Sequence, residues 1–436
     1  MIQSLFDRYD IAQDVRKAAQ RALRRVENIR YDAQSKVKYR VLSAFLEEGL
    51  SDSDFAGTTG YGYDDAARAR YESLLARIFG AEAALARLTF VSGTHAIVAA
   101  IKACVPHGKT LLSITGAPYD TLRSAINGAA HNLVEQGLKY REVPLTGDGA
   151  IDYPAVRDAL HADVATVFLQ RSRGYASRPS LYVDACAEAI RFVRSHLPSA
   201  IVLVDNCYGE LVEEREPTHT GADAVMGSLI KNLGGALAPA GGYVVGKQWI
   251  IDRVAAYTYA AGLGSALGPT LGLGRLYFQG LFQAALVVEQ TLRGLDFCAA
   301  LFNELGFPVQ PAAGERRTDI IQAIALNDES LVWAFARGLQ RAMPVNARFA
   351  PEAGQVPGYR DAVIMSAGAF VSGATIELSC DAPLREPYEV YVQGGVVTEQ
   401  AILGSVFAAD AVMRSGRATT EGASRLRQNA KVTRKN

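Results

Sequence analysis

The stretch that decides the fold runs from residue 201 to 246 and reads IVLVDNCYGELVEEREPTHTGADAVMGSLIKNLGGALAPAGGYVVG. Its apolar start, Ile201 to Val204, is typical of a buried strand and delivers an acid, Asp205, at the carboxyl end. A second short strand near 224–227 leads to Lys231, 26 residues after Asp205, in a loop of small and apolar residues. Ligands of α/β sheets bind at the carboxyl ends of the strands. We therefore expect Asp205 and Lys231 to face one cavity.

This acid and this lysine fit the chemistry of pyridoxal 5′-phosphate (PLP). A lysine amine forms a Schiff base with the PLP aldehyde, and a carboxylate keeps the pyridine nitrogen protonated so that the ring withdraws electrons. Each residue alone has an ordinary alternative, since an aspartate at a strand end is usually a cap and a single lysine is usually a surface charge. Apolar neighbours disfavour the ammonium form, so we expect a lowered pKa for Lys231. The pair predicts an enzyme with PLP as its cofactor.

Composition excludes several other classes of protein. The 436 residues are 49% hydrophobic and 21% charged, with 45 basic and 45 acidic side chains, so no net field favours nucleic acid or an anionic membrane. The five cysteines form no CxxC pair, which predicts reduced thiols, a cytoplasmic location and no metal site. The N-terminus lacks the apolar core of a signal peptide, and no apolar run is long enough to cross a membrane.

Hydrophobic periodicity divides the chain into four parts. We expect an N-terminal helical arm at 1–60, a large cofactor-binding domain at 61–290, a small α+β domain at 291–415 and a flexible tail at 416–436. In the large domain, the alternating helices are predicted at 65–79, 94–104, 119–127, 154–160 and 182–195, and the strands at 110–114, 139–143, 164–169, 201–204 and 242–245. In the small domain, strands are predicted at 320–326 and 374–379, and helices at 329–342 and 398–414. Such alternation predicts an α/β fold with a mainly parallel sheet.

A phosphate site is indicated where an apolar stretch meets a helix at FVSGTHA, residues 90–96. Ser92, Gly93 and Thr94 would occupy the first helical turn, where free N–H groups and the helix dipole attract an anion. Ser-Gly-Thr is also a common capping sequence. It indicates a phosphate site here only together with Lys231 and Asp205, which need a phosphate-binding loop beside them. Ser228, three residues before Lys231, is a further phosphate donor in this prediction.

Aromatic and basic residues complete the candidate site. Tyr119 is predicted to stack on the pyridine ring and to exchange a proton during elimination, although a loop tyrosine can also simply pack. Arg171 and Arg173 leave the end of a strand, and such arginines suit a phosphate, the ring oxygen or a substrate carboxylate, or pair with an acid. The loop TTGYGYDD at 58–65, with Tyr61 and Tyr63, either packs locally or reaches into another subunit.

Several stretches together resemble one known family. They are TGYGYDD, FVSGTHAI, TGAPYDTL, QRSRGY, VDNCYGELVE, GSLIKN, APAGGYVVG and GATIELSCDAPLREPYEVYVQGG, in this order from about residue 50 to 400. They are similar to the methionine γ-lyase-like group known as aluminium-resistance proteins, a branch of fold-type I PLP enzymes near the cystathionine lyases. The resemblance implies the PLP-dependent transferase fold and an active site at the interface of a homodimer, within a homotetramer.

The resemblance also implies a role for each site residue. Lys231 would carry the Schiff base and catalyse proton transfer with Tyr119, and Asp205 would hold the pyridine nitrogen. Ser92, Gly93, Thr94 and Ser228 would bind the phosphate, together with Tyr61 or Tyr63 of the adjacent subunit. The chain departs from the family at Glu377, where relatives carry the arginine that binds the substrate carboxylate. That binding is therefore expected from Arg385 or Arg173.

The resulting functional expectation is a PLP-dependent lyase that eliminates a β or γ leaving group, plausibly a thiol, from an L-amino acid. One alternative is a PLP-dependent replacement reaction at the β or γ carbon. A different class is a non-catalytic regulator or metal-tolerance protein that keeps the fold. The intact set of Lys231, Asp205 and the residues 92–94 argues against that class, as does the lack of a Cys/His cluster.

Overall fold

The computed structural model describes residues 6–356 and 358–433, with side chains described up to residue 417. Seven strands form the central sheet in the order β1-β7-β6-β5-β4-β2-β3. They are β1 (Ala83–Arg87), β2 (Thr110–Ser113), β3 (Lys139–Glu142), β4 (Val164–Gln170), β5 (Ile201–Asp205), β6 (Ala224–Ser228) and β7 (Gly242–Gly246). Only β7 runs against the others, because it pairs antiparallel with both β1 and β6. The predicted α/β fold with a mainly parallel sheet is confirmed.

Helices surround this sheet. They are α1 (Gln13–Val26), α2 (Asp32–Glu48), α3 (Ala66–Phe79), α4 (Gly93–Cys104), α5 (Asp120–Arg123), α6 (Tyr153–Ala159), α7 (Val183–His196), α8 (Gln248–Thr258) and α9 (Gly274–Glu304). A π-helical turn, Ser124–Gly128, continues α5, and 3₁₀ turns occur at Asp52–Phe55, Pro217–Thr220 and Asn232–Gly234. Capping explains where α3 lies: the Asp65 side chain accepts the N–H of Arg68, and Gly80 ends the helix in the left-handed conformation.

A second, antiparallel sheet forms the smaller lobe. Its strand order is β10-β11-β12-β13-β9-β8. The helix α10 (Glu329–Gln340) packs against β11 and β12, and α11 (Thr398–Thr433) packs against α10. The strands are β8 (Val309–Gln310), β9 (Ile321–Ala325), β10 (Ala353–Gly354), β11 (Val363–Ala367), β12 (Ser379–Pro383) and β13 (Glu389–Gln393).

The strand predicted at 374–379 is wrong. The segment forms a 3₁₀ turn, Thr375–Glu377, and β12 begins only at Ser379. Leu378 has a φ of +88°, which no extended strand adopts, so the chain changes direction immediately before β12.

The long helix α9 is shared by both lobes. It runs through residue 290 and contacts α1, α2 and α3 as well as α11 and β9. The domain limits placed at 60, 290 and 415 stay predictions, and so does the flexible tail, although α11 continues as a helix to Thr433. Residues 434–436 lie outside the described part of the chain. No helix among the described residues is long and apolar enough to cross a membrane.

Candidate active site

A cavity of about 370 Å³ lies at the carboxyl ends of the central strands. Strand register explains the position of the acid, because Asp205 at the end of β5 pairs with Gln170 at the end of β4. Seven residues predicted from the sequence line this cavity together: Ser92, Gly93, Thr94, Tyr119, Asp205, Ser228 and Lys231. The structure therefore brings the predicted lysine, acid and phosphate loop into one site.

The first turn of α4 forms an anion cradle. Ser92 caps this helix by accepting the N–H of His95 at 3.1 Å, and the N–H groups of the first turn have no partner within a helix. A Cβ atom at Gly93 would lie 3.2 Å from Ser228, so glycine lets the two segments approach closely without displacing either. Helix N–H groups and two nearby hydroxyls are the donors that a phosphate needs.

Tyr119 is fixed above the cradle by two hydrogen bonds. Its hydroxyl lies 2.7 Å from the Thr94 hydroxyl, and its backbone N–H donates to Gln170 Oε1 at 2.7 Å. Burial, and then the charge of Asp205, raises the pKa of Tyr119 well above its usual value. The phenol is therefore neutral near pH 7 and carries a proton that it can donate.

Asp205 is a buried acid whose hydrogen bonds come from Cys207. Its Oδ1 accepts the N–H of Cys207 at 3.0 Å. Burial raises the pKa of Asp205, while the Cys207 N–H and the charge of Lys231 oppose that rise. A protonated ring nitrogen opposite this carboxylate would offset the cost of its burial.

Lys231 contacts an aromatic residue, Tyr208, that was not predicted from the sequence. Its Nζ lies 3.7 Å from the ring centroid of Tyr208. The expected lowering of the Lys231 pKa is wrong. Burial lowers this pKa, but Tyr208, Cys207 and Tyr119 together raise it well above its usual value. The sequence did contain a signal for this residue, because Tyr208 follows Asp205 by only three residues, directly after the end of β5.

Other lining residues were also missed. Tyr175 and Tyr359 form an aromatic wall, with ring centroids 5.3 Å apart, and Tyr175 donates to Asp381 at 2.6 Å. Tyr359 and Asp381 belong to the small lobe, distant in sequence from the predicted site. Hydrophobic patterns along the chain contain no information about such contacts between lobes.

The two arginines predicted to bind the substrate carboxylate do not line this cavity. Arg173 is 3% exposed, donates to Gln310 at 2.9 Å, and has two further nitrogens without a partner among the described residues. Arg385 is more accessible and donates to the carbonyl of Tyr175 at 2.9 Å. Its guanidinium also lies 3.3 Å from Asp361. Arg385 thus lies directly behind the aromatic wall, whereas Arg173 is buried between the lobes.

Glu377, at the position of the expected arginine, has a clear structural role. Its side chain is 3% exposed and accepts the N–H groups of Phe370 and Val371 at 2.8 and 3.1 Å. The next two residues, Ser372 and Gly373, line the mouth of the cavity. Glu377 therefore holds a loop of the small lobe against the site.

Tyr61 and Tyr63 lie outside the cavity formed by their own chain. They are 76% and 57% exposed, with ring centroids 6.0 Å apart. Their loop is nevertheless well anchored, because Asp65 accepts from Thr58 and Thr270, and Arg68 donates to the carbonyls of Gly62 and Gly268. An ordered loop that presents two tyrosines to solvent is typical of a contact surface.

The residues of the cavity fit PLP. The close approach of Gly93 to Ser228 forms a cradle with donors for a phosphate, Asp205 is a buried carboxylate that a cation would stabilise, and Lys231 carries a primary amine in the same cavity. Tyr119 offers its ring beside both. These are the groups that bind the phosphate, the ring nitrogen and the aldehyde of this cofactor.

Comparison with known proteins agrees with a PLP site in this cavity. The chain matches the methionine gamma-lyase family over residues 11–413. The uncharacterized protein YnbB of Bacillus subtilis (strain 168) is 44% identical over 381 residues, or 86% of this chain and 90% of YnbB. A crystal structure described as a carbon-sulfur lyase involved in aluminum resistance, from Clostridium novyi NT, has a TM-score of 0.89 and 37% identity and covers 94% of this chain and 98% of its own. The L-methionine gamma-lyase of Treponema denticola is 28% identical over 191 residues, 40% of this chain and 46% of that enzyme.

The fold and the cavity thus define a PLP-dependent protein of fold type I. The chain belongs to the methionine gamma-lyase family, its cofactor is pyridoxal 5′-phosphate, and its relatives make it a carbon–sulfur lyase-like protein.

Proposed function

We propose that this protein eliminates a sulfur-containing leaving group from the β or γ carbon of an L-amino acid. One observation carries the proposal: the cavity holds Lys231, the neutral phenol of Tyr119 and the buried Asp205 together. PLP, when bound, withdraws electrons from the substrate carbon that loses its proton. Lys231 then takes the α-proton, and Tyr119 donates a proton to the departing sulfur. The products are a thiol, a 2-oxo acid and ammonia, with water consumed.

Substrate binding follows from the surroundings of the cavity. Because no arginine among the described residues lines it, we assign the α-carboxylate to Arg385, which donates to the backbone carbonyl of Tyr175 in the cavity wall. Arg173 remains the second candidate. Tyr61 and Tyr63, exposed on their own chain, would complete the phosphate site of a second copy. The functional unit in this proposal is therefore a homodimer or a homotetramer with shared sites.

The test compares the intact chain with Lys231→Ala and Lys231→Arg. We expect the wild type with PLP to show a visible absorption band that borohydride bleaches, and to release thiol, 2-oxo acid and ammonia from sulfur amino acids. Both variants should lose the band and the products, since arginine keeps the charge but cannot form the imine. Turnover in either variant would assign the reactive amine to another residue.

A product assay separates elimination from replacement. With a second thiol present, elimination still yields ammonia in proportion to the substrate consumed. A replacement enzyme instead forms a new thioether amino acid and little ammonia. Formation of the thioether alone would reject the elimination proposed here.

A further inference from the structure

The Lys231 amine is held by an aromatic ring and not by an acid. Its Nζ lies 3.7 Å from the centroid of the Tyr208 ring, and Lys231 forms no ion pair with any described residue. An ammonium over a desolvated tyrosine face is attracted by the ring quadrupole. Tyr208 is therefore the group that most directly favours the charged form of the reactive lysine.

The backbone of Tyr208 is held in an unusual conformation. Its φ is +71°, a region that residues other than glycine rarely adopt. The Tyr208 carbonyl accepts from the Asn232 side chain at 3.0 Å and from the Ile320 N–H at 3.1 Å. Asn232 is the residue after Lys231 and also donates to the Glu210 carbonyl at 2.9 Å. Such strain persists where the surroundings fix a residue for a function.

The small lobe packs against Tyr208 through Ile321, Ala323 and Tyr391. Asp381 is 2% exposed and accepts from the Tyr175 hydroxyl at 2.6 Å and from Gln393 at 2.8 Å. Burial raises the pKa of Tyr208, Lys231 opposes this rise, and the charge of Asp381 adds to it. The phenol thus stays neutral beside the ammonium and does not take its proton.

We propose that Tyr208 is a catalytic residue whose ring stabilises the protonated form of Lys231. The inference rests on the proposed function. In that reaction the bond between the substrate Cα and its proton breaks, the electron pair stays on carbon, and the proton bonds to Lys231 Nζ. Stabilising the resulting ammonium makes the amine a stronger base and lowers the barrier to this step.

Several other groups influence the same amine. The titratable side chains that interact with Lys231 come from the end of β5 and the loop after it, from the loop before α5 and from β12: Asp205, Cys207, Tyr208, Glu210, Tyr119 and Asp381. The five other than Tyr208 are the same in a chain with phenylalanine and in a chain with a fluorinated ring at position 208, so a difference in the titration of Lys231 between those two chains reports the ring alone.

The experiment compares Tyr208→Phe with a chain carrying pentafluorophenylalanine at the same position. The two rings have nearly the same shape, but fluorination removes the negative face that attracts a cation. The rate of Lys231 acylation is measured by mass spectrometry as a function of pH on the full chain freed of cofactor. We expect the fluorinated ring to lower the proton affinity of Lys231 about tenfold relative to Phe. The same pair of residues at Tyr153, which packs on Phe192 outside the cavity, is the control and should leave the profile unchanged.

Loaded with PLP, the fluorinated chain should lose about tenfold in kcat with KM little changed. Equal acylation profiles for the two rings would overturn the proposed role of Tyr208, whatever reaction the protein catalyses. If the profile shifts but the protein releases no thiol from any substrate, the role of Tyr208 beside Lys231 is supported and the proposed elimination is rejected.

Discussion

At the scale of single residues, Asp205 shows how burial prepares a group for its partner. Burial raises its pKa, and a cation opposite the carboxylate would offset the free-energy cost of burying the charged form. We expect Asp205→Asn to retain the fold but to lose about a hundredfold or more in kcat, because the cofactor ring then withdraws electrons poorly. Steady-state kinetics and the melting temperature check this prediction together. A variant with near-normal kcat would mean that the reaction does not use the ring nitrogen.

The two candidate arginines differ in burial, so their loss should differ in kind. We expect Arg385→Ala to raise KM and lower kcat/KM about tenfold to hundredfold, with PLP content unchanged, because a charged hydrogen bond to the substrate is lost. Arg173→Ala should mainly lower the melting temperature, since that side chain is buried between the lobes. The reverse pattern, in which only Arg173→Ala raises KM, would transfer the role to Arg173.

The amino-acid sequence predicted the part of the site that lies close together along the chain. Asp205, Ser228 and Lys231 share one stretch, and the residues 92–94 carry their own helix-start signal, so all of them could be found from local patterns. Tyr359 could not, because only the packing of the small lobe brings it to the cavity, and the same packing places Asp381 against the hydroxyl of Tyr175. The pKa of Lys231 was predicted in the wrong direction because the apolar neighbours in sequence are not its neighbours in space.

At the scale of elements, the loop 370–373 depends on one buried carboxylate. Glu377→Ala would leave the N–H groups of Phe370 and Val371 without their acceptor. We expect hydrogen exchange to become faster at these two amides, with a loss of about 1–3 kcal/mol of stability. KM should rise more than kcat falls, because Ser372 and Gly373 at the cavity mouth lose their fixed position.

The matched control is Glu352→Ala, which removes an exposed glutamate of the same lobe. It should change neither exchange nor KM. Unchanged protection of residues 370 and 371 in Glu377→Ala would show that the loop holds its place by other contacts.

Element prediction succeeded where a strand or helix has an uninterrupted pattern, as at β5 and α7. It failed at 374–379, where an alternating pattern occurs in a 3₁₀ turn. The Glu377 side chain binds backbone amides of a loop, and Leu378 adopts a positive φ. Both are tertiary effects that override a local preference for strand.

At the scale of the whole molecule, the exposed tyrosine loop leads to a prediction about assembly. We expect a chain carrying Lys231→Ala, mixed with one carrying Tyr61→Phe and Tyr63→Phe, to regain activity that neither has alone. In a mixed dimer, one site then combines the intact lysine of the second chain with the intact tyrosines of the first. Activity is measured on dimers purified through two different affinity tags.

The same tag-purified dimers of each single variant are the control and should stay inactive. Mixed dimers without recovery would place both tyrosines outside the partner's site, and the dimer itself would then need another functional explanation.

The helix α9 has a mechanical consequence. With 31 residues it is about 46 Å long, and it packs against elements of both lobes. A continuous helix packed against both lobes leaves no flexible linker between them at this point, so we expect little hinge motion there. Admission of a substrate therefore falls to short segments at the rim, and the speed of their opening sets an upper limit on turnover that no improvement in the chemistry could exceed.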